Sequence, residues 1–368
     1  MAGSNEAAIL RLEPKGTRMT DTKIPAHPDD LTPAWLSEVL DAPVASVELL
    51  DHAFSTNQRA RIGLTYEGSG TGPASLFAKL APLDEGHRAM IGAIGMGERE
   101  AQFFADVSGE IDLRVPRCYF ASASGDDFLL LLEDLTTDDC RFSDGTWGVD
   151  ADAAAKALEE LAAFHARFEN EAARDRVAPW LRDPDRTPGS EATSGLMRFV
   201  LDQNADALSD TYKAIGERYV EHHARFHALW DEGPRTYIHG DLHLGNVFLD
   251  GDRVGFLDWG LSKTSTHLRD VSYFLTMSVD VEARRANERA LLETYLGALE
   301  SAGGKAIALE DAWRTYRRQA SYTVIATFLA FMPSYADSDG VALSEGLLRQ
   351  ANAAIEDLDV VGALDEIL

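Results

Sequence analysis

The chain has 368 residues, 45% hydrophobic and 26% charged, enough for two domains or one bilobed unit with a substantial core. Its formal net charge of -27 repels nucleic-acid backbones and anionic lipid, so neither is an expected partner, and a bound anion would have to be held by local cations. No apolar run reaches the length of about 18 residues that a membrane helix needs. The N-terminus lacks a continuous apolar core, so a cytoplasmic location is expected. Two cysteines, Cys118 and Cys140, stand outside any metal-binding spacing, which leaves no disulfide or structural-zinc framework.

Residues 1–27 read as a flexible leader, within which Met19 has the look of an alternative start. In LTPAWLSEVL, Thr32 suits an N-cap and Pro33 the first helical position. Three strand-like runs follow, VASVELLDHAF, RARIGLTYEG and ASLFAKLAP, with EGSGTG as the hairpin turn between the second and third. Asp84 to Val107 has helical character despite several glycines; RVPRCYFASA and DFLLLLEDL then return to strand. From Thr136 onward helices dominate, beginning with DADAAAKALEELAAFHARFEN. The organisation is therefore a small mixed half (28–135) followed by a larger helical half (136–368).

Within the helical half lies YIHGDLHLGNVFLDGDRVGFLDWG, residues 237–260. Polar groups at the ends of short buried strands must be satisfied or desolvated at a cost, which makes His239, Asp241, Asn246 and Asp258 candidates for chemistry. Asp241 and Asn246 have the spacing D-x-x-x-x-N, and Asp258 opens DWG after the next apolar run. Protein kinases arrange a catalytic aspartate, a metal-binding asparagine and the DFG aspartate in this way. Each residue alone would suit an ordinary turn.

HGDLHLGN, with glycine at position 240, resembles the aminoglycoside phosphotransferase and choline kinase superfamily. FAKLAP, EREAQFF, LLLLEDL, LAAFHARF and RDVSYFL most resemble its ecdysteroid kinase-like group. The resemblance implies an α+β, bilobed protein-kinase-like fold. Its small N-terminal lobe would hold an antiparallel sheet and one main helix, and its larger lobe would be mostly helical. It further implies transfer of a phosphoryl group from ATP or GTP, with Mg2+, to a small-molecule hydroxyl acceptor. Asp241 would accept the hydroxyl proton. Asn246 and Asp258 would hold the metal, and Lys79 would contact the phosphates while paired with Glu100 or, less suitably placed, Glu98. The interlobe hinge at Glu133 and Leu135 would meet the adenine edge.

The phosphate-covering loop departs from the pattern. HAFSTNQRAR contains no glycine, leaving Ser55, Thr56 and Asn57 as the available donors. His239 is expected to brace its loop, His165 to be a satisfied core residue, His223 and His227 to lie on a solvated helix face, and Asp270 to cap the next helix. Trp180, Phe199, Tyr322, Phe328, Phe331 and Tyr335 are candidates for the acceptor wall and point to a hydrophobic or amphipathic alcohol. If the carboxylates around Asp138, Asp139 and Asp144 lined the cleft instead, an aminoglycoside or choline-like cation would be favoured. An inactive nucleotide-binding scaffold is the alternative from another class, and the intact Lys79, Asp241, Asn246 and Asp258 argue against it.

Overall fold

The computed structural model describes residues 24–54, 56–331 and 341–368. Residues 24–27, assigned from sequence to the leader, pack onto the fold: Ile24 lies against the core of the N-terminal sheet, and the Ala26 carbonyl accepts from Gln58 Nε2 at 2.8 Å. Helix α1 (Pro33–Leu40) opens on Thr32, whose hydroxyl accepts from Trp35 N, and closes on Asp41 in the left-handed region.

Strands β1 (Val44–Phe54), β2 (Gln58–Tyr66) and β3 (Ser75–Leu80) form an antiparallel meander. EGSGTG turns the chain between β2 and β3, at the opposite end of β2 from the Phe54–Gln58 turn. The helical stretch after β3 divides at Gly95, where a positive φ of 71° ends α2 (Glu85–Ile94) and starts α3 (Met96–Gln102). A π-helical turn over Phe103–Val107 continues α3, so the single helix read from the sequence is a bent chain of shorter ones. Strands β4 (Cys118–Ser124) and β5 (Asp127–Glu133) complete a five-stranded sheet in the order β1-β2-β3-β5-β4. The apolar side chains of this sheet close over Leu36 of α1.

Beyond the hinge come β6 (Cys140–Phe142), α4 (Ala151–Glu169), α5 (Glu171–Val177), α6 (Ser190–Gln203) and α7 (Asp210–Trp230). Four short strands follow: β7 (Arg235–Ile238), β8 (Val247–Asp250), β9 (Arg253–Phe256) and β10 (Lys263–Thr266). β7 pairs with β10, while β6, a strand the sequence reading did not anticipate, pairs with β8 at the edge of a β6-β8-β9 sheet. Helices α8 (His267–Met277), α9 (Val281–Ser301), α10 (Leu309–Gln319), α11 (Tyr322–Thr327), α12 (Val341–Asp357) and α13 (Val360–Asp365) complete the chain. Every residue of α8 is buried, so it forms a fixed post beneath the loop that β7 and β8 carry. The result is a bilobed, protein-kinase-like α+β fold. Among the described residues no helix is long and apolar enough to cross a membrane.

Candidate active site

The loop from His239 to Asn246 is suspended from β7 and held from below by α8. Asp270 accepts the backbone N–H of His239 at 2.6 Å and of Gly240 at 2.8 Å. Asp270 is therefore not the cap of α8, a position that Thr266 occupies. Its carboxylate satisfies loop donors that would otherwise be buried unpaired. Burial alone would raise its pKa; the His165 hydrogen bond and the Gly240 N–H outweigh it and hold the carboxyl below the ordinary range. His165 is fully buried between Asp270 and the Tyr295 hydroxyl, 3.4 and 2.9 Å away.

Gly240 has φ 84°, and a Cβ there would meet the Leu261 carbonyl at 2.6 Å. Only glycine lets the two loops approach this closely. His239 joins them, its Nε2 donating to the Leu257 carbonyl at 2.7 Å, while Leu257 N donates to the Asn246 carbonyl at 2.8 Å. Asp258 then takes the left-handed region at φ 56°, a conformation disfavoured for a non-glycine residue and maintained by its surroundings. Trp259 behind it stacks on Phe103 at 3.8 Å between ring centroids, which couples the DWG turn to the helix carrying Glu100.

Asn246 Nδ2 donates to the Asp241 carboxylate at 2.8 Å and to the Asp241 carbonyl at 2.9 Å. These bonds leave the amide oxygen as the atom for a cation. His243, which sequence reasoning passed over, accepts the Gly245 N–H at Nδ1, so Nε2 carries the proton and faces Asp241 Oδ2 at 3.5 Å. Burial opposes the charged imidazole, but the Asp241 carboxylate prevails and raises its pKa. The spacing of HGDLHLGN contained this signal, since the loop needs a donor beside its own carboxylate.

On the sheet side, Lys79 stands at a central register position opposite Arg59 and Leu130 and is only 5% exposed. Its Nζ donates to Glu100 Oε2 at 2.6 Å and lies 3.1 Å from Asp258 Oδ1. Glu98 points elsewhere and pairs with Arg186. Burial pushes the Glu100 carboxyl up to about 7, whereas burial of Asp258 is overcome by the Lys79 and Arg59 charges, which lower its pKa.

The other nucleotide-side candidates differ in how fully they are tied down. Ser55 lies outside the described residues. Thr56 is half-buried; Asn57 is buried, and its Oδ1 has no partner among the described residues. The Glu133 carboxylate is occupied by Arg114 at 2.9 and 3.1 Å and by the Arg117 N–H, so only its backbone is left for a ligand. Leu135 is buried at the start of a short 3-10 turn. Asp134 between them accepts from Arg61 and Thr136.

Beyond Asp241 the wall is aromatic. The Tyr273 ring packs edge-on against His243 at 6.4 Å, and burial, with the Asp241 charge, raises its pKa well above normal. Tyr322 packs edge-on against Tyr273 at 5.3 Å and against Trp230 at 5.1 Å. The remaining aromatic candidates lie elsewhere. Phe328 is in the core, Phe331 packs on Tyr212, Phe199 is exposed on α6, and Trp180 bonds Asp106. Tyr335 lies outside the described residues. Asp138, Asp139 and Asp144 are exposed, with Asp144 bonded to Thr146. His223 and His227 are half-buried and bonded to Ser190 and Tyr219, a correction to the solvated face expected for them.

Residues 50–305 match the Ecdysteroid kinase-like family, a span that takes in both halves of the site from β1 to α9. The chain belongs to that family. No curated protein matches it by sequence. Among solved structures it is similar to a choline kinase from Cryptosporidium parvum, with 10% identity, a TM-score of 0.50, and 92% of this chain and 96% of that one covered. It is also similar to the choline kinase LicA from Streptococcus pneumoniae (14% identity, TM-score 0.48, 88% and 96% covered). A third similar structure is the macrolide 2'-phosphotransferase MphH from Brachybacterium faecium (14% identity, TM-score 0.45, 84% and 96% covered). At these identities the likeness is one of fold alone.

Proposed function

We propose that this protein transfers the γ-phosphoryl group of ATP or GTP to a hydroxyl of a small hydrophobic or amphipathic alcohol. One observation carries the reading: Lys79, Glu100 and Asp258 from two halves of the chain meet in one buried cluster, next to the Asp241–Asn246 pair. In this reading residues 28–135 hold the nucleotide and residues 136–368 hold the acceptor and the base.

Asp241 accepts the acceptor's hydroxyl proton as the oxygen forms its bond to the γ-phosphorus and the bond to the β-phosphate oxygen breaks, releasing ADP or GDP. Lys79, fixed by Glu100, orients the α- and β-phosphates, and the hinge backbone at Glu133 and Leu135 meets the base. Thr56 and Asn57 supply donors over the phosphates where glycines are absent.

Asn246 and Asp258 suit Mg2+. Both offer the hard oxygen that this ion prefers, with phosphates and water left to complete the shell. When bound, Mg2+ supplies positive charge to the phosphate oxygens. The protein's own part is positional: Asn246 is oriented by Asp241, and Asp258 is held within reach of Lys79.

Tyr273 and Tyr322 favour an acceptor with an apolar body over a polycation, because the carboxylates past the hinge are exposed on their own turn. ADP release measured across paired panels of hydroxylated hydrophobic compounds, aminoglycosides and choline-like cations tests this. Turnover confined to the cations would contradict the acceptor class. No turnover together with no Mg2+-dependent nucleotide binding would leave the inactive scaffold.

A further inference from the structure

Arg269 is 8% exposed and buried in α8, yet among the described residues none of its N–H groups donates a hydrogen bond. Its buried Nε has no partner among the described residues. The nearest anion is Asp231, whose Oδ1 is 3.6 Å from the guanidinium and already accepts the Ser265 hydroxyl. That distance balances charge without using a donor. A buried Nε–H left without an acceptor carries a desolvation cost that a ligand oxygen would relieve.

Its position relates it to the reacting hydroxyl. Arg269 and Tyr273 are four residues apart in α8 and share a face, about 6 Å apart. Tyr322 bridges them: the Arg269 Cζ lies 4.4 Å from its ring centroid, and the Tyr273 ring packs on it at 5.3 Å. Tyr273 in turn packs edge-on against His243 of the Asp241 loop, with 6.4 Å between ring centroids. The Asp241 loop, the two tyrosines and the guanidinium thus follow one another in a single packed row.

We infer that Arg269 determines acceptor specificity by fixing a carboxylate on the alcohol about one helical turn from the hydroxyl that Asp241 deprotonates, so that the acceptor is an amphipathic hydroxy acid. The inference rests on the phosphotransferase reading and adds the acceptor's charge to it. The planar fork of arginine matches the two oxygens of a carboxylate, and it repels the cationic acceptors of an aminoglycoside or choline type.

The test compares para-(hydroxymethyl)benzoate and omega-hydroxyhexanoate with their uncharged amides, measuring ADP release with Mg·ATP and binding by calorimetry. The wild-type protein is expected to prefer each acid by about 10- to 100-fold, chiefly through KM. Arg269→Met should bring that ratio towards unity, with Arg269→Lys intermediate. Amides used as well as acids, no use of either acid, or an undiminished preference in Arg269→Met would overturn the inference. The wild-type ratio needs no variant, so it decides the matter even if Arg269→Met misfolds. Stabilisation by Mg·ATP in the same samples separates the two claims: retained with no acid preference, it removes only the role of Arg269; lost altogether, it removes the phosphotransferase reading as well.

Discussion

The loop carrying Asp241 and the turn between β1 and β2 face the same proposed nucleotide, yet they are built on opposite plans. The first is fixed at nearly every polar atom, through Asp270 beneath His239 and Gly240, and through His239 and Asn246 across to the DWG turn. The second carries an exposed Phe54 and a buried Asn57 whose side-chain Oδ1 has no partner among the described residues. In the proposed reading, chemistry that depends on sub-ångström placement sits on the first, and contact with phosphates, which tolerate many donor arrangements, on the second. The contrast predicts that substitutions on the two sides will differ in both size and kind.

The largest effect is expected at Asp241. Asp241→Asn should lower turnover by roughly 100- to 10,000-fold while nucleotide binding is preserved, measured by single-turnover ADP formation beside calorimetry. Comparable loss of binding would show that Asp241 belongs to the nucleotide side. Next comes the support beneath it. Asp270→Ala leaves two loop N–H groups and His165 without their shared acceptor and should cost about 3 kcal/mol in denaturant unfolding. A change below about 0.5 kcal/mol would mean that the loop does not depend on α8.

Acid should also weaken the helical half before the sheet. Burial holds His267 down to about 3 and His227 to about 4, against an ordinary value of 6.5. His267 faces His165, Tyr295 and, at 4.0 Å, Glu169; His227 faces the Tyr219 hydroxyl and Arg269. The unfolded chain takes up these protons first, so their contribution is complete above about pH 6.5 and is lost as pH falls towards 4. Urea midpoints that stay level across this window would contradict the assignment. The smallest effect belongs to the turn between β1 and β2. Asn57→Ala should change nucleotide affinity by less than about tenfold and leave the unfolding midpoint nearly unmoved.

The same contrast explains what was legible in the sequence. Lys79, Asp241, Asn246 and Asp258 stand in tight local patterns, because strand ends and a fixed loop length force those residue types to fixed offsets. Asp270 was visible as a polar residue near a helix start but was read as a cap, since only the packed structure shows that its carboxylate faces the neighbouring loop. The helix over 84–107 kept its apolar rhythm, but Gly95 with its positive φ divides it, and the π-helical turn leaves no mark in composition. β6 is too short for alternation to register and exists through its pairing with β8. Nothing in the sequence pattern singles out Arg269, which the fold places beneath Trp230 and Tyr322.

The account turns on whether Lys79, Asn246 and Asp258 together make a metal-dependent nucleotide site. Calorimetric titration of ATP and GTP, with and without Mg2+, into the wild-type protein, Asp258→Ala and Asp241→Asn measures this directly. The account predicts Mg2+-dependent binding in the wild type, its retention in Asp241→Asn, and its loss in Asp258→Ala with the fold intact by circular dichroism. Nucleotide binding absent from the wild type, or indifferent to both Mg2+ and Asp258, would contradict it.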